Sequence, residues 1–360
     1  MPGCWPTVVC RSAGVTRVAM VRMIRAGTIR RVSTWSPDPL RFPRFNLIDG
    51  PSPLTPLPRF SAALGGRVEV WIKREDLLPL AFGGNKLRNL EFLVGAALAE
   101  GADCLVTSGR RWSNHARLTA AAGAKSGLAV HLVLSGPPVD PPNPGVRLDE
   151  LLGATVHRAA TDDRAERAAL VESVEAQLRA EGRRPYLVAI GGTGLVGTVG
   201  QVLAGLELAE GAARVGIEPG TVVVPSATGG TQAGLLVGLR TAGLTTEVHG
   251  VAVTPAEPLR PLIASIANQL GEIDGLAAIG DREIVLDGAH LGEGYGRPTE
   301  AADDATNLLA RTEGILVDPI YTAKALAGLI ALARDGILDG RQVVFWHAGG
   351  SPGLFEPLDR

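Results

Sequence analysis

Residues 67–101 read RVEVWIKREDLLPLAFGGNKLRNLEFLVGAALAEG, and a change of rhythm inside this stretch decides the fold class. The β-branched and apolar side chains over 68–72 predict a buried strand. A loop over 81–86 with two glycines follows. Then Leu87, Leu90, Leu93, Val94 and Ala97 recur on one helical face until Gly101 stops the pattern. Strand, glycine loop and helix make the opening of a βαβ unit, which requires a parallel sheet.

The same grammar repeats outward along the chain. Strands are predicted over 104–107, 130–134, 186–190, 221–224, 247–253 and 342–347, with helices over 114–125, 162–181, 232–239, 299–312 and 322–334. A proline-rich loop is expected over 137–144. The reading is α/β, with parallel sheets flanked by helices and arranged as two blocks. Residues 41–90 join 195–360 in a larger domain, 91–194 form a smaller one, and the cleft between them is the natural ligand site. Residues 1–40 differ: six arginines lie between Arg11 and Arg31 and no acid precedes Asp38, so this segment is read as an extension outside the core.

Composition excludes several functions. Among 360 residues, 35 basic and 37 acidic side chains give a net charge of −2, without the basic excess of a nucleic-acid binder. Three cysteines (Cys4, Cys10 and Cys104) suit neither a disulfide framework nor a metal site, and a cytoplasmic protein is the expectation. The uncharged stretches 185–206 and 219–239 are broken by glycine and threonine, and are read as buried strand, loop and helix rather than membrane.

Lysine is scarce and therefore informative, occurring only at positions 73, 86, 125 and 324. Lys86 follows Gly83-Gly84-Asn85 at the start of a helix, where the dipole favours a neutral, nucleophilic amine. A second strand-to-helix loop, Ser226-Ala227-Thr228-Gly229-Gly230-Thr231-Gln232, offers N–H groups and hydroxyls to a phosphate but has neither a P-loop lysine nor a dinucleotide glycine spacing. Ser113-Asn114-His115 opens another helix and suits either a carboxylate or an ordinary N-cap. Tyr295 and Tyr321 lie in turn-rich contexts as potential proton donors.

Taken together and in order, Asn85-Lys86, Ser113-Asn114-His115, the 226–231 loop, Gly294-Tyr295-Gly296, Asp318–Thr322 and His347-Ala348-Gly349-Gly350 resemble the D-cysteine desulfhydrase and 1-aminocyclopropane-1-carboxylate deaminase family of pyridoxal-phosphate enzymes, over about residues 40–356. The resemblance implies a two-domain, tryptophan synthase β-like (type II) fold and a homodimer acting on a small amino acid. It makes Lys86 the lysine that binds pyridoxal 5'-phosphate covalently and later removes the α-proton. It places Asn85, Asn114, Thr228, Gly229, Gly230, Thr231 and Thr322 around the cofactor, and Ser113, Asn114, His115 and Trp112 around the substrate. Ser113, Tyr295 and Tyr321 join Lys86 in the catalytic set. No metal is implied.

The expected reaction is β-elimination from D-cysteine or a relative, including a sulfonate, to pyruvate, ammonia and sulfide or sulfite. Thr322 stands where ring-opening deaminases have a glutamate facing the pyridine nitrogen, which weakens the electron sink and makes aminocyclopropanecarboxylate deamination the second choice. A catalytically silent or repurposed homologue is the third. The chain departs from the family pattern at Arg110-Arg111-Trp112, at Asn89 in place of a phosphate-side lysine, and at Gly194 in place of an asparagine.

Overall fold

The computed structural model describes residues 42–136, 143–160 and 163–358; the basic segment 1–40 and most of the proline-rich stretch lie outside them. The chain enters through β1 (Leu54–Pro56) and α1 (Pro58–Ala63), and the deciding unit becomes β2 (Glu69–Arg74) and α2 (Lys86–Ala99). The next block supplies β3 (Cys104–Arg110), α3 (Asn114–Ser126), β4 (Ala129–Ser135), α4 (Pro144–Leu151), β5 (Thr155–Ala159), α5 (Arg164–Ala180) and β6 (Pro185–Leu187). Then come α6 (Leu195–Val215), β7 (Pro219–Ser226), α7 (Gly230–Thr241), β8 (Glu247–Ala252), α8 (Ala256–Gly271) and β9 (Val285–Asp287). The chain closes with α9 (Glu300–Glu313), α10 (Thr322–Arg334) and β10 (Gln342–His347).

The strands form two sheets, ordered β1-β2-β10-β7-β8-β9 and β5-β4-β3-β6. All pairings are parallel except that of β1 with β2. Sequence periodicity did not reveal β1, a three-residue edge strand ending in a proline that only an edge tolerates. Helices cover both faces of the larger sheet. Val222, Val224 and Trp346 pack with α6, α7 and α8 on one side, while Ile72, Val223 and Phe345 pack with α1, α9 and α10 on the other. In the smaller sheet, α2 and α3 bury Leu87, Leu90 and Leu118 against Leu105 and Leu132, and α5 closes the opposite face with Val174 and Leu178.

Local chemistry explains where the elements begin. Asn143 caps α4 by accepting the Val146 N–H, with Pro144 in its first turn, so the proline-rich stretch ends in a helix start. The uncharged stretch 185–206 becomes β6, a turn and the first half of α6, which is buried against α2 and α7. No helix of the described residues is long and apolar enough to cross a membrane.

A buried ion cluster fixes the start of α2. The Arg88 guanidinium meets Glu75 at 2.6 and 2.8 Å and Glu207 of α6 at 2.8 and 2.9 Å, and Lys73 of β2 binds Glu207 at 2.5 Å. Burial alone would pull the Arg88 pKa down, but the two carboxylates outweigh it and hold it above the ordinary value. The strand, the helix and α6 are thereby locked two residues beyond Lys86. Four loops leave the carboxyl ends of β2, β3, β7 and β10, the end at which parallel α/β sheets hold ligands.

Candidate active site

Lys86 is the first residue of α2 and is half-buried. Its amine has no hydrogen-bond or ion partner among the described residues. Burial pulls its pKa from the ordinary 10.5 to about 8. The other lysines are accounted for differently: Lys73 is bound in the ion cluster, Lys324 donates to two backbone carbonyls, and Lys125 is exposed in the last turn of α3. The Lys86 loop is held on both sides. The Asn85 N–H donates to the Ala348 carbonyl at 3.0 Å, and the Gln201 amide donates to the Asn85 carbonyl at 2.8 Å.

The loop after β7 reaches Lys86 directly, because the Asn85 side chain donates to Thr231 Oγ1 at 2.9 Å. Gly229 has φ +80, and a Cβ there would lie 2.7 Å from Ile263, so this turn into α7 requires glycine. The glycine cap has no side chain to satisfy the first-turn N–H groups of α7. Thr228 Oγ1 lies 2.6 Å from Thr193 Oγ1, while Ser226 Oγ and Thr198 Oγ1 are buried without partners. Free N–H groups at a helix N-terminus, surrounded by unpaired hydroxyls, fit a phosphate monoester. The residues present therefore fit pyridoxal phosphate: this turn would hold its phosphate, and Lys86 would supply the amine for its aldehyde.

Asn89 supplies no charge to this turn. Its amide donates to the Gly192 carbonyl at 3.0 Å and accepts from Gln201 at 2.6 Å, and it is fully buried. Gly194 is the N-cap of α6 at φ +155 and contributes no side chain. The donors on this side are thus neutral.

On α3, Ser113 is the N-cap and accepts the Ala116 N–H at 3.2 Å, leaving its hydroxyl proton available. Asn114 follows, and its Oδ1 accepts from Arg117 at 2.6 Å. Arg117, buried in the next turn, also donates to the carbonyls of Ala81 and Gly83. These contacts clamp a strained loop in which Leu80, Ala81 and Phe82 all have positive φ. With Oδ1 occupied, the Asn114 amide nitrogen faces Gly350, where a Cβ would fall 2.9 Å from it and 2.4 Å from Asp318 Oδ2. His115 turns inward. Thr107 gives its hydroxyl proton to the Val188 carbonyl, so it accepts from His115 Nε2 at 3.0 Å. Burial, with the Lys86 charge nearby, drives the His115 pKa to about 3, so the ring is neutral.

Tyr295 and Tyr321, distant in sequence, share a hydrogen bond between their hydroxyls. Burial raises the pKa of both, keeping them protonated phenols. Two residues absent from the sequence-derived set organise them. Asp318 accepts from the N–H groups of Ile320, Tyr321 and Thr322 and from Thr322 Oγ1, which fixes the turn into α10. Lys324, fully buried, donates to the Leu291 and Gly294 carbonyls at 2.7 and 3.2 Å and fastens the Tyr295 loop to α10. The Thr322 hydroxyl is thus already committed to Asp318. His347 likewise serves the backbone, holding Leu316 O and Gly349 N–H.

Trp112 closes the mouth, its ring 6.3 Å from Tyr295 and directly against Gly296. Arg110 and Arg111 place their guanidinium carbons 5.8 and 5.0 Å from the indole. The sequence-derived residues therefore surround one region between Lys86, the α7 turn and the tyrosine pair, apart from His115, which faces Thr107. Arg117, Asp318 and Gln201 were not singled out as site residues. Arg117 carried one usable signal, lying one helical turn beyond Asn114.

The chain is similar to known proteins over most of its length. The family model described as "pyridoxal-phosphate dependent enzyme" matches residues 46–349. The chain is 41% identical over 324 residues to the D-cysteine desulfhydrase of Salmonella choleraesuis (strain SC-B67), covering 88% of this chain and 96% of the relative. It is 40% identical over the same length to that of Salmonella paratyphi C (strain RKS4594). Among solved structures, an ACC deaminase homologue superposes with a TM-score of 0.80 at 34% identity, covering 88% of this chain and 94% of the other. The processed form of threonine deaminase isoform 2 from Solanum lycopersicum shares the fold, with a TM-score of 0.62 at 18% identity over 86% of this chain and 87% of the other.

Proposed function

The chain belongs to the family of pyridoxal-phosphate dependent enzymes, and from that premise we propose that it is a lyase that removes the β-substituent of D-cysteine or a related small amino acid, giving pyruvate, ammonia and sulfide or sulfite. The observation that carries this reading is the Lys86 amine, which lacks a partner among the described residues, has a pKa of about 8 and is joined through Asn85 to the α7 turn. When bound, the cofactor supplies an aldehyde for the substrate amine and a ring that takes up the electron pair of the α-carbon.

The chain's own residues supply the rest. Thr228, Gly229, Gly230 and Thr231 would hold the phosphate through the helix N-terminus, and Asn114, oriented by Arg117, would donate to the cofactor's phenolic oxygen. Ser113 would bind the substrate carboxylate through its free hydroxyl proton. The Lys86 amine would take the α-proton, as suits a base titrating near neutrality. The Tyr295–Tyr321 pair would place a phenolic proton toward the departing group, with Trp112 shielding the mouth from water. Thr322 would face the ring nitrogen without acidity, since its proton is held by Asp318. That supports prompt elimination over cyclopropane opening.

We further propose that the two sheets mark two domains and that the enzyme works as a cytoplasmic homodimer. The test is a visible absorption band in the purified protein, combined with pyruvate release from D- and L-cysteine. The expected result is both band and pyruvate. A band with 2-oxobutyrate from aminocyclopropanecarboxylate instead would favour deamination. A band with no turnover of any tested amino acid would indicate a silent homologue.

A further inference from the structure

We propose that Lys324 is a positioning residue that sets which leaving groups the enzyme can expel: it holds the backbone that carries Tyr295, and so keeps the phenolic proton in reach of a departing thiol. The inference rests on the lyase reading above and deepens it. Lys324 is 0% exposed, and its ammonium donates to the main-chain carbonyls of Leu291 and Gly294. No carboxylate among the described residues lies within ion-pair distance of it. Burying an ammonium against neutral dipoles costs more than filling the same space with an apolar chain. Packing alone therefore does not account for a lysine here, whereas the loop it holds does.

Residues 288–299 run from β9 to α9 without strand or helix, and Gly292, Glu293 and Arg297 are exposed. Gly292, Gly294 and Gly296 have φ values of +68, +151 and +79, so the backbone on either side of Tyr295 has the conformational freedom of glycine. The root of the loop is tied to β9, where Asp287 accepts the Ala289 N–H at 2.7 Å and lies 3.3 Å from His290 Nε2. Further along, Lys324 takes the Leu291 and Gly294 carbonyls, the second of them directly before Tyr295. Tyr321 and Lys324 stand three residues apart at the start of α10, on one face of it. Tyr321 meets the Tyr295 hydroxyl, and Lys324 meets the backbone before it. Attachment at both points fixes where the phenol lies; the hydroxyl contact alone would let it move with the loop.

The consequence depends on the substituent. When the α-proton goes to the Lys86 amine, the electron pair left behind forms the Cα–Cβ double bond, and the Cβ–S bond breaks with its pair on sulfur. Hydrosulfide takes the phenolic proton and departs as hydrogen sulfide, and the phenol is restored by the proton that Lys86 removed, directly or through water. With one water, cysteine then gives pyruvate, ammonium and hydrogen sulfide, with no net oxidation. Chloride, the anion of a strong acid, leaves β-chloroalanine without needing a proton. A misplaced phenol therefore slows the first reaction and spares the second.

The experiment uses the cofactor-loaded enzyme at about pH 7, where an amine titrating at about 8 is mostly protonated. Pyruvate release is measured from cysteine and from β-chloroalanine of the same hand. In Lys324→Met, kcat for cysteine is expected to fall about 30–100-fold, as for a displaced general acid, while its KM and the kcat for β-chloroalanine change less than about threefold. Once Tyr295→Phe has removed the phenol, adding Lys324→Met is expected to leave the ratio of the two rates where it was. Hydrogen exchange over residues 288–297, followed by mass spectrometry, is expected to rise in Lys324→Met. Lys324→Gln, neutral and one atom shorter, serves should Lys324→Met fail to fold. Equal loss on both substrates, a further fall of the ratio in the Tyr295→Phe background, or unchanged exchange over the loop overturns the role of Lys324 and leaves the lyase reading intact. Absence of pyruvate from either compound in the unaltered enzyme overturns the lyase reading, and this role with it.

Discussion

Lys73 and Lys86 lie on the same strand–loop–helix unit, and both are withdrawn from solvent, yet they have opposite fates. Lys73 ends in a cluster of two carboxylates and two cations, held at 2.5 Å by both Glu207 and the Ser52 carbonyl. Lys86 has no acid near enough to pair among the described residues, and its pKa falls to about 8. Burial is common to both; the presence of a carboxylate separates a structural ammonium from a reactive amine.

The comparison breaks most sharply at Lys86. Lys86→Ala is expected to abolish the visible band and to lower β-elimination about a thousandfold or more, since it removes both the covalent attachment and the base. Thermal stability is retained, because no partner loses its charge. Equal loss of fold and activity would place Lys86 in the structural class with Lys73.

Lys73→Met is the converse experiment and the next largest effect. The band survives, but urea unfolding shows a loss somewhat below the about 3–5 kcal/mol of an uncompensated buried charge, because Arg88 still faces Glu207. The double variant Lys73→Met with Glu207→Leu is expected to be less stable still, since Arg88 then loses half its anionic contacts. Recovery in the double variant would mean that the cluster stabilises nothing beyond its own packing.

The two lysines also mark how far the sequence could be read. The lysine census singled out Lys86 because its glycine loop meets a helix start, a local pattern. The fold was legible for the same reason: βαβ periodicity is local, and the predicted strands over 104–107, 221–224 and 342–347 lie within β3, β7 and β10. The ion cluster was not legible, because Glu75, Arg88 and Glu207 meet only after α6 has packed on α2. Asp318 escaped attention as a site residue because it acts by orienting Tyr321, and no spacing rule announces such a partner, whereas Arg117 carried only its i,i+3 spacing from Asn114. Likewise β1 and β9 are three-residue strands, too short for any period to register.

The smallest effect sharpens the comparison through pH. Apoenzyme stripped of cofactor should regain its band at a rate that rises with pH, because only the neutral amine condenses with an aldehyde, and the half-maximum should fall near pH 8. An ordinary lysine titrating at 10.5 would be neutral in only about three molecules per thousand at that pH. His115 does not distort the profile, since its pKa of about 3 leaves it uncharged throughout. Lys324 is also lowered to about 8 by burial, so the attachment point must be read independently of the profile. Borohydride reduction followed by peptide mass analysis serves that purpose, and the expected label is on Lys86. A half-maximum near 10 would mean that the amine is solvated or paired like any surface lysine, and the contrast with Lys73 would then rest on geometry without the chemistry.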